Sequence, residues 1–75
     1  MELSEKAKNL KLGVYEHFKG MKVEVIGVGF DSENLKEMVV YRELSDNNLW
    51  VRPIEMFLEN IEKDGEIKPR FKYLN

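Results

Sequence analysis

Aromatic rings and a guanidinium group occupy three strand-like segments of the sequence. Tyr15 and His17 lie in the first segment, Tyr41 in the second, and Trp50 and Arg52 in the third. Rings offer flat faces to a cation, a proline or a base, and arginine is a forked hydrogen-bond donor for a carboxylate or a phosphate. Because such side chains form binding hot spots when they share a solvent-facing surface, we expect these five residues to bind a ligand.

The same rings could instead serve the hydrophobic core. A domain of 75 residues buries only ~60% of the surface that its unfolded chain exposes, so nearly every large apolar side chain is needed inside. A short helix or the N-terminal segment would then cover the rings as a second core layer. The residues leave both interpretations open, and the exposure of Trp50 decides between them.

Groups suited to catalysis or metal binding are sparse in this chain. Cysteine and threonine are absent and His17 is the single histidine, so no second His or Cys can share a metal with it. Glu16 or Glu24 beside His17 would supply acid–base chemistry, which defines a rival hypothesis of a small enzyme or accessory catalyst. Gly27-Val28-Gly29 lacks the third glycine of a dinucleotide-binding loop. We predict no catalytic residue, no metal and no cofactor.

Composition indicates a globular protein that does not enter a membrane. The chain has 12 Lys and Arg against 14 Asp and Glu, a net charge of -2, and 43% hydrophobic residues. This balance argues against generic binding to a nucleic-acid backbone. No apolar run approaches the ~20 residues of a membrane helix, and residues 1–11 lack the pattern of a signal peptide. We therefore predict a cytoplasmic protein, with a flexible arm or short helix at 1–10 and a single domain at 11–75.

Apolar residues at every second position predict a first hairpin from Gly13 to Val25. A two-residue turn at Lys19-Gly20 would join its strands. The predicted partners are Phe18 with Met21, Glu16 with Val23, and Val14 with Val25. Beyond this hairpin the apolar phase changes at Gly27 and Gly29, which predicts a bulge.

A second hairpin is predicted from Met38–Leu44 and Leu49–Arg52. Its predicted partners are Leu44 with Leu49, Glu43 with Trp50, Arg42 with Val51, and Tyr41 with Arg52. A short helix over Pro53–Glu59 follows from the spacing of its apolar residues. This helix either continues to Lys63 or gives way to a hairpin around Asp64-Gly65, and we favour the hairpin. The expected fold is mainly β, a small partly open barrel of five to six short strands with one short helix.

Six short motifs resemble a bacterial domain-of-unknown-function family (number sixteen-fifty-three) over roughly Lys11 to Leu74. They are Gly13-Val14-Tyr15-Glu16-His17-Phe18-Lys19-Gly20, Glu24-Val25-Ile26-Gly27-Val28, Val39-Val40-Tyr41-Arg42, Leu49-Trp50-Val51-Arg52-Pro53, Glu55-Met56-Phe57 and Pro69-Arg70-Phe71. The chain departs from the family at Val23, where an aromatic ring is expected. The resemblance implies an SH3-like barrel in the bacterial cytoplasm and favours the hairpin at Asp64-Gly65. It adds Arg42 to the expected site residues, and it implies no activity.

The function expected from the sequence is therefore a non-catalytic recognition module. Its ligand would be a peptide or a short single-stranded nucleic acid, bound by Tyr15, His17, Tyr41, Arg42, Trp50 and Arg52. A structural or self-association domain is the second hypothesis, and a catalyst that uses His17 is the third.

Overall fold

Seven strands and two short helices make up the fold. The computed structural model describes residues Met1–Asn75. Its elements are α1 Glu5–Lys8, β1 Gly13–His17, β2 Lys22–Phe30, β3 Glu37–Glu43, β4 Leu49–Pro53, α2 Ile54–Leu58, β5 Asn60–Lys63, β6 Glu66–Pro69 and β7 Phe71–Tyr73. Strands β4, β3, β2, β1 and β7 form, in that order, one antiparallel sheet, and β5 pairs only with β6. The mainly-β class is confirmed, with one strand more than expected and with α1 in the segment where a flexible arm or short helix was expected. The SH3-like description stays a prediction.

The predicted register of the first hairpin, between β1 and β2, is wrong by one residue. Tyr15 lies opposite Val23, one position away from the predicted partner. The reason is the turn. The N–H of Gly20 donates to the carbonyl of His17 at 2.7 Å and Gly20 has a φ of 101°, so the loop holds the three residues Phe18–Gly20 instead of two.

This shift reverses the two faces of β1. Side chains alternate between the faces of a strand, so a slip of one residue moves each of them to the other side. Tyr15 consequently faces inward and is buried with Val23 and Val25, whereas Val14 is only half-buried. A tyrosine that was expected on the solvent face thus belongs to the core.

The predicted register of the second hairpin, between β3 and β4, is wrong by two residues. Tyr41 lies opposite Trp50, two positions from its predicted partner. Glu43 donates its N–H to the Asn48 carbonyl at 3.0 Å, and Asn47 has a φ of 62°. The loop is therefore Leu44–Asn47, which begins one residue earlier than the turn expected from the sequence.

A register shift of two residues leaves each side chain of β3 and β4 on its predicted face of the hairpin. It does not decide which of the two faces is buried. The buried face carries Val39 and Tyr41, and the apolar side chains of Leu49 and Val51 are exposed. Tyr41 lies opposite Val25 of β2, which already faces the core through its pairing with β1. Because directly opposite residues share a face, β3 must bury the side that holds Tyr41.

The predicted bulge in β2 is confirmed. Val25 lies opposite Tyr41 and Gly27 lies opposite Val40, which leaves Ile26 as the extra residue. The bulge changes the phase of β2, so its two halves present different sets of side chains to the core.

The predicted short helix and terminal hairpin are also confirmed. Helix α2 spans Ile54–Leu58, with Pro53 directly before it. Asp64 and Gly65 form the turn between β5 and β6 and have φ values of 53° and 79°, as a two-residue hairpin turn requires. The β5–β6 ribbon is almost entirely exposed, since only Ile61 in it is half-buried.

Four aromatic rings in mutual contact form the centre of the core. Phe57 of α2 stacks on Phe71 of β7, with 4.2 Å between ring centroids and 8° between planes. The ring of Phe57 also meets Tyr15 at 5.4 Å and Tyr41 at 5.7 Å. The full set of buried residues is Ala7, Tyr15, Val23, Val25, Val39, Tyr41, Ile54, Phe57 and Phe71. With so few buried residues, each aromatic contact carries a large share of the stability.

The N-terminal segment packs on this core through α1. The Ser4 hydroxyl accepts the N–H of Ala7 at 3.2 Å and caps the helix, and Ala7 is buried. The N–H and the hydroxyl of Ser4 donate to Glu37 at 2.6 and 2.7 Å. These bonds, with the backbone N–H as the larger cause, lower the pKa of Glu37. The segment is thus held by the packing of Ala7 in the core and by the hydrogen bonds of Ser4 to β3.

Candidate functional site

A groove crosses the inner face of the sheet from β1 to β4 and has a volume of about 160 Å³. Most of its lining is apolar, and its polar groups come from three different strands, with His17 on β1, Glu43 on β3 and Arg52 on β4. We refer to it as the Arg52 groove. Its lining residues are His17, Met21, Val23, Tyr41, Glu43, Trp50, Arg52 and Phe71.

The observed strand registers bring the lining residues together. Tyr41 lies opposite Trp50 across β3 and β4, and His17 lies opposite Phe71 across β1 and β7. Arg52 follows Trp50 by two positions on β4, so the two side chains share a face. Four of the six residues that the sequence predicted, His17, Tyr41, Trp50 and Arg52, therefore line one groove.

Arg52 is the arginine without a carboxylate partner. Arg42 pairs with Glu24, and Arg70 pairs with Glu59. The guanidinium of Arg52 is instead held by rings: its Nε lies 3.4 Å from the Tyr41 hydroxyl oxygen, and its central carbon lies 5.8 Å from the centroid of Phe71. These contacts orient the group and leave its terminal N–H donors without a protein acceptor.

Trp50 forms the outer wall of the groove and is 50% exposed. It is the single tryptophan of the chain, so its fluorescence reports on this groove alone. The exposure separates the two interpretations of the aromatic residues: Tyr15 and Tyr41 are buried core residues, and Trp50 remains open to solvent. Large apolar surface of this kind next to a free cation is typical of interaction sites.

His17 forms the opposite end of the groove and is held in one tautomer. Its Nδ1 accepts the backbone N–H of Lys19 at 3.2 Å, so in the neutral ring the proton sits on Nε2. The ring meets Phe71 edge to face at 4.9 Å. Burial, and then the nearby charges of Arg52, Arg70 and Lys19, lower the pKa of His17. These three cations place a positive field at this end of the groove, which adds to the larger effect of burial.

This lowered pKa predicts that the folded protein loses stability as the pH falls. The unfolded chain binds a proton at a higher pH than folded His17 does. The free energy of unfolding should therefore decrease as the pH falls through about 6.5, and the loss should be complete below the folded-state pKa. Glu37, whose pKa is also lowered, contributes stability that is lost only at more acidic pH, in the carboxyl range. Urea unfolding at several pH values from about 8 down to about 5 measures the effect of His17.

The variant His17→Gln is the matched control for this titration, because glutamine keeps a polar side chain that does not bind a proton. Its unfolding free energy should change less over the same pH range. Parallel profiles for the two proteins would show that His17 does not cause the pH dependence.

Two predicted site residues lie outside the groove. Tyr15 is buried, donates its hydroxyl to the Lys11 carbonyl at 2.6 Å and packs against Tyr73. Arg42 lies on the other face of β3, where its guanidinium donates to Glu24 and to Asn47. The register shift of the first hairpin explains why Tyr15 faces the core. Arg42 was suggested by the family resemblance, which gave no information about the face of β3 on which this side chain lies.

Four lining residues were not among the predicted site residues. Glu43 shares the face of Tyr41 in the sequence pattern, so alternation alone could have added it. Val23 and Met21 follow from the three-residue turn of the first hairpin. Phe71 reaches the groove because β7, the last strand of the chain, pairs with β1, the first. No local sequence pattern predicts a pairing between segments so far apart in the sequence.

The structure contains no cluster of three or more His, Cys, Asp or Glu side chains suited to a metal ion. Neither helix has the length or the apolar character needed to span a bilayer.

The sequence profile of the family described as "Protein of unknown function (DUF1653)" matches residues 13–73. The chain belongs to the DUF1653 family. A crystal structure of a DUF1653 protein from Bordetella bronchiseptica is similar to it, with a TM-score of 0.84 and 25% sequence identity over 91% of each chain. No curated protein matches the chain. The predicted family is therefore confirmed.

Proposed function

We propose that this DUF1653 protein is a non-catalytic recognition module that binds a peptide through the Arg52 groove. The unpaired guanidinium of Arg52, half-buried beside apolar walls, is the observation that carries the proposal. A cation that has lost part of its hydration gains from an anionic partner, and a guanidinium prefers a carboxylate in a forked geometry. The ligand is expected to present a carboxylate next to an apolar side chain.

The size of the groove supports a peptide side chain as the occupant. Pockets for drug-sized ligands and cofactors span roughly 300–1,000 Å³, well above the about 160 Å³ found here. Trp50, Met21 and Val23 give the walls an apolar character, and Arg52 and Glu43 add two half-buried charged groups to the lining. An apolar centre with polar groups around it is the usual anatomy of a peptide or protein contact.

Single-stranded nucleic acid fits this groove less well. Such ligands stack successive bases on several exposed rings in a continuous positive channel. The groove offers one widely exposed ring, Trp50. The net charge of -2 adds no general attraction for a polyanion.

Binding also fits the surroundings of His17 better than catalysis. A general base needs a free nitrogen aimed at the substrate and a carboxylate that orients the ring. The Nδ1 of His17 is occupied by the Lys19 N–H, and no carboxylate is hydrogen-bonded to the ring. Glu24, one of the two expected partners, is engaged by Arg42 on the other face of the sheet.

A peptide array tests the proposed specificity directly. Blocked peptides of the form acetyl-Thr-Ser-X-Thr-Z-Ser-Thr-amide place X and Z on the same face of an extended chain, and each position is varied over all amino acids. We expect binding to require Asp or Glu at X and to favour an apolar residue at Z. An array without enrichment at X, or a preference for Lys and Arg there, would contradict the proposal.

The variant Arg52→Gln should weaken binding of the best array peptide tenfold or more. A hydrogen bond to a charged group contributes roughly 1.5–3 kcal/mol, and glutamine supplies no charge. The affinity is measured by titration of Trp50 fluorescence at low salt. Binding should also raise the pKa of His17, because the carboxylate offsets the positive field around the ring.

Arg42→Gln is the matched control, since it removes the same charge from the opposite face of the neighbouring strand. It should leave the affinity unchanged. Equal losses of affinity in both variants would mean that the change in net charge, and not the position of Arg52, weakens binding. If Trp50 fluorescence changed with a short single-stranded oligonucleotide and not with the peptides, the ligand would be a nucleic acid and not a peptide.

A further inference from the structure

One edge of β4 has no neighbouring strand. β4 is an edge strand of the five-stranded sheet. Its side chains Leu49 and Val51 are 64% and 60% exposed to solvent. The unpaired backbone groups of an edge strand are able to pair with another extended chain.

The hydrogen bonds between β3 and β4 show which backbone groups of this edge are free. Glu43 donates its N–H to Asn48, and bonded pairs recur at every second position of an antiparallel ladder. Trp50 and Arg52 therefore direct their N–H and C=O groups toward β3. Leu49 and Val51 direct theirs away from the sheet, which gives two donors and two acceptors in a row.

The Arg52 groove adjoins this free edge. The side chains of Trp50 and Arg52 point into the groove while the backbone groups between them point outward. Residues of an added strand that lie opposite Trp50 and Arg52 would form non-hydrogen-bonded pairs, in which opposite side chains come closest.

We propose that the peptide ligand binds as a sixth strand, antiparallel to β4, with an acidic residue opposite Arg52 and an apolar residue opposite Trp50. This inference rests on the proposed function and specifies its geometry. The residue between those two forms both hydrogen bonds with Val51, and the residue that follows the apolar one pairs with Leu49. Main-chain bonds then supply affinity and the two groove-facing side chains supply specificity.

The observations favour an antiparallel peptide over a second copy of this chain. All neighbouring strands of the sheet run antiparallel, and antiparallel pairs are the more stable ones. A second copy would offer its own β4, Leu49–Pro53, which contains no acidic residue to neutralise Arg52. Its Pro53 also lacks an N–H, so the ladder could not extend beyond Val51 at that end.

N-methylation of the peptide tests the strand directly. In acetyl-Thr-Ser-Glu-Thr-Leu-Ser-Thr-amide, the central Thr is expected to donate its N–H to the Val51 carbonyl. A methyl group there should weaken binding about fivefold or more, since one net hydrogen bond is worth about 1 kcal/mol. A methyl group on the Leu nitrogen, which points away from β4, should change the affinity less than about twofold. The reversed order Leu-Thr-Glu should bind more weakly, because it places the acidic residue opposite Trp50.

Amide hydrogen exchange provides the second measurement. The N–H groups of Leu49 and Val51 should exchange rapidly in the free protein and become protected when the peptide is bound. Equal affinity of both methylated peptides, without new protection, would overturn strand addition while leaving peptide binding in the groove intact. Loss of all peptide binding would instead reject the proposed function. Protection of both amides in the free protein that grows with protein concentration would assign the edge to a second copy.

Discussion

The variant Phe57→Ala is expected to lower the free energy of unfolding by about 3–5 kcal/mol, a large share of the total stability. Phe57 is 1% exposed and its ring contacts Phe71, Tyr15 and Tyr41. Truncation of a buried phenylalanine costs about 3–5 kcal/mol through lost transfer energy and the remaining cavity. A chain of this size has a total stability of only about 4–11 kcal/mol. Urea unfolding followed by circular dichroism measures the loss.

Met56→Ala is the control for this prediction. Met56 precedes Phe57 in α2 but is exposed, so its truncation should change the unfolding free energy by less than about 1 kcal/mol. A similar loss in both variants would mean that the helix, and not the aromatic stack, limits the stability. The same stack supports the groove, because Phe71 lies under Arg52 and beside His17. Partial loss of folding should therefore reduce peptide binding in parallel.

Gly13→Ala is expected to destabilise the fold by ~3 kcal/mol, through strain and a lost hydrogen bond. Gly13 has a φ of 124°, a conformation that side chains rarely adopt, and an added Cβ would lie 2.6 Å from the Asn75 carbonyl oxygen. That oxygen accepts the N–H of Val14 at 2.8 Å, so it cannot move away without breaking the bond. Thermal and urea unfolding of the variant measure the change.

Two other glycines separate the strain from the clash. Gly20 has a φ of 101° with open space around it, so Gly20→Ala should show the strain alone. Gly29 lies in β2 without positive φ and without a close neighbour, so Gly29→Ala should be neutral or slightly stabilising. Equal stability of Gly13→Ala and Gly29→Ala would show that the backbone at Gly13 relaxes without cost.

The aromatic residues show why the lining of the groove was predicted only in part. Their spacing correctly placed Trp50 and Arg52 on one face of a strand, and the groove contains both. It also placed Tyr15 on a solvent face, where the structure buries it. In each hairpin, a turn that differs by one residue in length or position moves the register of the whole ribbon.

Local pattern was sufficient for the element types, because they depend on neighbours within a few positions. On that basis we predicted the strands of the two hairpins, the bulge of β2, the helix after Pro53 and the turn at Asp64-Gly65. The groove depends on contacts between distant segments. Phe71 reaches His17 only because β7 pairs with β1, and the buried face of β3 follows from its pairing with β2. Which rings enter the core and which remain open to a ligand is thus a property of the assembled sheet, since each strand must turn inward the side that its neighbours already bury.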